Sequence, residues 1–63
     1  MSPFIAKNAS QLDLCLRMLY AEGVKFDVGV KETDRGKIVY EISANEDDQK
    51  IEILMEKYHR LIS

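Results

Sequence analysis

"VKFDVGVKETDRGKIVYEISA", Val24 to Ala44, sets two runs of alternating apolar and polar residues on either side of Asp34-Arg35-Gly36. Strict alternation makes each run a β-strand with one apolar face, and the glycine-bearing trio makes the turn of a hairpin. Turn chemistry then fixes the register. A three-residue loop with Gly36 in the left-handed region pairs Thr33 with Lys37. Val30 faces Tyr40, Val28 faces Ile42 and Phe26 faces Ala44, all on one side of the sheet. Lys31 meets Val39, Gly29 meets Glu41 and Asp27 meets Ser43 on the other side. A two- or four-residue loop would slip the pairing by one, oppose Val30 to Glu41 and split the apolar face. Pattern and turn agree on three.

Ahead of the hairpin, "PFIAK" is a short apolar run that predicts a first strand from Pro3 to Lys7. Asn8 suits a helix N-cap, and Gln11 sits where a capping box reaches back. Gly23 suits the residue just past the helix end, so helix 1 is expected over Ala9 to Glu22. Leu12, Cys15, Leu16 and Leu19 fall at the spacing of one buried stripe. Leu14 and Met18 lie on the far side at about 100° per residue, near Ala21, and form a second stripe. After the hairpin, Asn45 or Ser43 caps helix 2, with Glu46, Asp47 and Asp48 at the end where the dipole favours anions. Ile51, Leu54, Met55, Tyr58, Leu61 and Ile62 share one face of that helix, Ile53 alone breaks the pattern, and His59 and Arg60 occupy the final turns.

The order β-α-β-β-α gives an α+β two-layer sandwich. A right-handed crossover places strand 1 beside strand 3, so a three-stranded sheet of order 1-3-2 carries both helices on one face. This is a ferredoxin-like arrangement without its last strand, since Ser63 directly follows helix 2. The slot beside strand 1 is then an open edge. Strand 2 guards the opposite edge with Lys25, Asp27 and Lys31 on its outer face. Strand 1 has only Pro3 and Lys7 around Phe4, Ile5 and Ala6, which makes it the edge open to β-augmentation.

Size argues in the same direction. A chain of 63 residues is one domain, and such a domain buries only about 60% of the surface its unfolded chain exposes. One cysteine excludes an internal disulfide, and one cysteine with one histidine cannot close a structural zinc site. Self-association is the remaining common remedy. No apolar run reaches membrane-spanning length and no basic-then-apolar leader opens the chain, so the cytoplasm is the expected location. A net charge of −2 argues against nucleic acid or anionic lipid as partner.

The chain offers little chemistry. Cys15 lies in the buried stripe, where a thiol is unreactive. His59 has no acid-base partner that spacing can place beside it. Glu46, Asp47 and Asp48 are consecutive on a helix and point in three directions, which suits a solvated first turn better than a metal. Gly23, Gly29 and Gly36 are scattered, each with a local backbone explanation, and build no phosphate loop. The open sheet face carries Lys25, Asp27, Gly29, Lys31, Val39, Glu41 and Ser43, with no aromatic on which an RNA base could stack. No catalytic, cofactor-binding or metal-binding residue is expected.

The stretch "FIAKNASQLDLCLRMLYAEGVKFDVGV" resembles the opening of small prokaryotic domains related to the GlnB and ACT ferredoxin-like regulators. In those, a strand, a helix ending in an "AEG"-like corner and a β-branched strand follow in this order. The resemblance covers Phe4 to Val30 and implies a regulatory domain. The ligand loops of those regulators have no counterpart here, so it transfers no site residue. The expected function is a non-catalytic protein-interaction or regulatory module, a small homodimer without a cofactor. Its interface candidates are Phe4, Ile5 and Ala6 on the strand edge and Leu14, Met18 and Ala21 on helix 1. An ACT-like small-molecule sensor and a phage or mobile-element inhibitor of a host protein are the alternatives.

Overall fold

In the computed structural model, which describes residues 4–63, the hairpin joins β2 (Phe26–Glu32) to β3 (Ile38–Ala44) through the expected loop. Gly36 has a φ of 75°. The Thr33 N–H donates to the Lys37 carbonyl at 2.7 Å, and the Gly36 N–H donates to the Thr33 carbonyl at 2.9 Å. The register follows: Val30 opposes Tyr40, Val28 opposes Ile42, Phe26 opposes Ala44 and Gly29 opposes Glu41.

The first strand, β1 (Phe4–Ala6), pairs antiparallel with β3, setting Phe4 against Ile42 and Ala6 against Tyr40. Strand order is therefore β1-β3-β2. The strand is shorter than the sequence suggests, because Lys7 leaves the ladder and its N–H donates to the Gln11 side chain at 3.0 Å. Pro3, the expected start, lies outside the described residues.

Helix α1 (Ala9–Ala21) begins at Asn8, whose Oδ1 accepts the Gln11 N–H at 2.9 Å. Gln11 returns its own side chain to Lys7, one residue earlier than a capping box requires. The helix ends on Gly23 at φ 69°. There the Val24 N–H reaches the Leu19 carbonyl and the Gly23 N–H reaches that of Tyr20, a Schellman closure. Helix α2 (Asp48–Ile62) is capped by Asp47, whose Oδ1 accepts the Lys50 N–H at 2.8 Å. The expected caps, Asn45 and Ser43, are taken by the sheet: Ser43 is within β3, and the Asn45 N–H extends the hairpin ladder to Lys25.

Phe4, Ala6, Ile42 and Ala44 from the sheet are buried with Cys15, Met18 and Leu19 of α1 and Ile51, Leu54 and Tyr58 of α2. Met18 departs from the sequence reading. It is only 6% exposed and belongs to this core. Because α1 packs on both β1 and α2, its buried arc is wider than one stripe, and Met18 lies only about 60° from Cys15 around the helix. Leu14, one turn back, is half-buried, and Ala21 is exposed. Leu61, expected on the buried face of α2, is also exposed.

Gly29 departs too. Its φ is not positive, and a Cβ built there would meet only the Glu41 carbonyl oxygen, at 4.0 Å. Nothing in the described fold requires a glycine at that point. Gly36→Ala is therefore expected to cost about 1–2 kcal/mol through left-handed strain. Gly29→Ala should instead be neutral or stabilise by up to about 1 kcal/mol. Urea denaturation of both variants at low protein concentration checks this contrast.

Candidate interaction surface

Hydrogen-bond parity decides which backbone groups of the sheet remain free. In an antiparallel ladder bonded and non-bonded pairs alternate, and a residue turned toward one neighbour is turned away from the other. Thr33 and Lys37 form a bonded pair, as the bond between Asn45 and Lys25 confirms at the far end. Residues 39, 41 and 43 of β3 therefore bond to β2, and residues 40 and 42 bond to β1. In β1 it is Phe4 and Ala6 that bond inward, and Ile5 that turns its N–H and carbonyl to the outer edge.

That edge is guarded from within. The Tyr58 hydroxyl, delivered by α2, donates to the Ile5 carbonyl at 2.8 Å. The Tyr58 ring meets Phe4 edge-on, with centroids 5.8 Å apart. An incoming strand would have to displace this hydroxyl to pair with Ile5. Of the strand-edge candidates, Phe4 and Ala6 are in the core and only the Ile5 side chain is exposed.

The β2 edge is different. Phe26, Val28, Val30 and Glu32 turn their backbone groups away from β3, and no strand among the described residues pairs with them. Their side chains project toward the helical layer, and Phe26 still packs against the core, but beyond it the strand is uncovered. Val28 is 44% exposed and Val30 67%. Ile38, on the same face, is 58% exposed and Tyr40 is half-buried. These residues form an apolar strip on the uncovered part of the sheet. Sequence alternation located the apolar face correctly; how far the helices reach across it depends on tertiary packing.

The remaining features are structural. Cys15 is fully buried, and burial pushes its thiol up to about 11. Burial, with Cys15 nearby, also raises Tyr58 above the usual phenol range. His59 is exposed, with its ring 5.9 Å from that of Tyr58 and no ion-pair partner among the described residues. Asp47 caps α2, and Glu46 reaches Lys50 at 3.6 Å. Among the described residues, no group of three or more His, Cys, Asp or Glu side chains could hold a metal ion. A recess where β1 stops short of the hairpin turn is lined by Ile5, Thr33, Ile38 and Val39 with three cations, Lys7, Arg35 and Lys37, and one acid, Asp34. No described helix is long and apolar enough to cross a membrane. No family model, curated protein or solved structure matches the chain.

Two outcomes follow from this geometry. Tyr58→Phe removes one part-buried hydroxyl bond to the Ile5 carbonyl, and should cost about 0.5–1.5 kcal/mol. Hydrogen exchange should show faster opening of β1 than of the hairpin. The raised Cys15 value makes the neutral thiol part of the folded state. Stability should be complete below the unfolded thiol value near 9, then fall as pH rises toward about 11. Urea midpoints measured from pH 8 to pH 11 should show a steeper loss for the wild-type chain than for Cys15→Ala.

Proposed function

We propose that this domain is a non-catalytic protein-interaction module that works as a homodimer. The observation that carries the reading is the exposed apolar strip of Val28, Val30 and Ile38, continuous with the half-buried Tyr40 that joins it to the core. Exposed apolar residues scattered singly need no explanation, whereas a contiguous set on one sheet face marks a contact surface. Burial of the single thiol supports a non-catalytic reading, because the strongest nucleophile in the chain is held neutral and out of reach.

The contact expected of such a surface is hydrophobic at its centre with charges around it. Val30 is the probe of choice, since it is the most exposed of the strip and contributes least to the monomer's core. Val30→Lys should lower the stability of the isolated fold by less than about 1 kcal/mol, as surface substitutions do. The same change should shift the wild-type chain from dimer to monomer in sedimentation velocity across a concentration series. A wild-type chain that stays monomeric into the millimolar range overturns this reading.

A further inference from the structure

Building on that reading, we propose that two copies join through their β2 edges, antiparallel about a two-fold axis at Gly29, into one continuous six-stranded sheet.

Parity limits the possible registers. Only Phe26, Val28, Val30 and Glu32 direct backbone N–H and carbonyl groups outward, so these residues must bond to the same set in the partner. Three centred pairings satisfy this, with the axis at 28, 29 or 30. With the axis at Val28, Lys25 falls opposite the second copy's Lys31, two like charges face to face. With the axis at Val30, Asp27 falls opposite Thr33 and Lys31 opposite Gly29, so neither charge meets its opposite. With the axis at Gly29, Phe26 opposes Glu32, Val28 opposes Val30, and Asp27 opposes Lys31, each twice by symmetry, so both charges of the outer face are paired. This register also uses the full length of β2. Neither Asp27 nor Lys31 has an ion-pair partner within the chain among the described residues, and both are exposed. Opposite charges across a strand pair stabilise it, and like charges weaken it.

Gly29 is compatible with this register. A mid-strand glycine weakens a sheet and can mark a place where another backbone approaches closely, and here it has extended φ and free space for a Cβ. In the proposed register the two copies of Gly29 form a non-bonded pair at the axis, where Cα atoms approach to about 4.5 Å. Because the axis is perpendicular to the sheet, both helical layers lie on one side. The exposed Val28 and Val30 side chains of the two copies then cover one another between them.

Two variants read this geometry. Gly29→Cys should form a disulfide-linked dimer under mild oxidation with glutathione, since about 4.5 Å lies within the range a disulfide spans. Asp27→Cys should not, because its symmetry mate lies four residues away along the partner strand. Buried Cys15 provides the background rate in the wild-type chain. Asp27→Lys should weaken dimerisation about tenfold through two reversed pairs. Combining it with Lys31→Asp should restore the wild-type value. A dimer that neither crosslinks at position 29 nor recovers in the double reversal overturns the β2 pairing and leaves the interaction module standing. A monomer at every concentration overturns both.

Discussion

With Gly36 in the left-handed region, the hairpin closes through Thr33 and Lys37, and the bonding alternation of the whole sheet descends from that pair. The even residues of β3 must turn away from β2, so they are the ones available to β1. Opposite them, Phe4 and Ala6 bond inward, which leaves Ile5 as the residue that faces outward. On the far side, the same alternation turns Phe26, Val28, Val30 and Glu32 to the open edge. A slip of one residue at the turn would have exchanged these sets and reversed the faces of the side chains as well. One backbone conformation thus determines both which side chains enter the core and which backbone groups remain for a partner.

The two edges are managed by different means. A strand edge is a template for unwanted pairing, and covering it, charging it or keeping it short are the usual protections. β1 is short, and its outward carbonyl is held by the Tyr58 hydroxyl. That tyrosine also buries its ring against Phe4, so the side chain that guards the edge is part of the core. β2 is longer and uncovered, and it carries Asp27 and Lys31 on its outer face. Those charges would repel an apolar strand laid at random, but they admit a strand presenting the opposite order of charge. The antiparallel copy of β2 presents that order.

Most of the architecture is legible in the sequence because local signals agree with one another. Alternation, the Asp34-Arg35-Gly36 turn, the Asn8 cap and the Gly23 terminus each act over a few residues, and each is found where pattern places it. What the sequence misplaces depends on contacts between distant elements. Met18 looks outward from helix periodicity alone, and is buried because α2 flanks α1. Val28 and Val30 look like core from alternation alone, and are exposed because the core ends at Phe26 along β2. Asp47 replaces Asn45 as a cap because the ladder continues to Lys25 and occupies Asn45 first. In each case periodicity gives the direction of a side chain, while the layer it meets is set by elements elsewhere in the chain.

The same distinction moves the candidate surface from β1 and the far side of α1 to β2. On sequence alone β1 is the open edge, because few charges surround Phe4, Ile5 and Ala6, yet a hydroxyl arriving from residue 58 occupies its outward carbonyl. On the same reading Lys25, Asp27 and Lys31 mark β2 as the guarded edge. Charge on an edge deters only partners whose charge does not match, and a two-fold axis inverts the order of a strand's residues. A strand carrying an acid and a base symmetrically about its centre is therefore complementary to itself. Asp27 and Lys31 stand at equal distance from Gly29, and Val28 and Val30 stand between them. The pattern that guards the edge against strangers is the one a second copy would match in the proposed dimer.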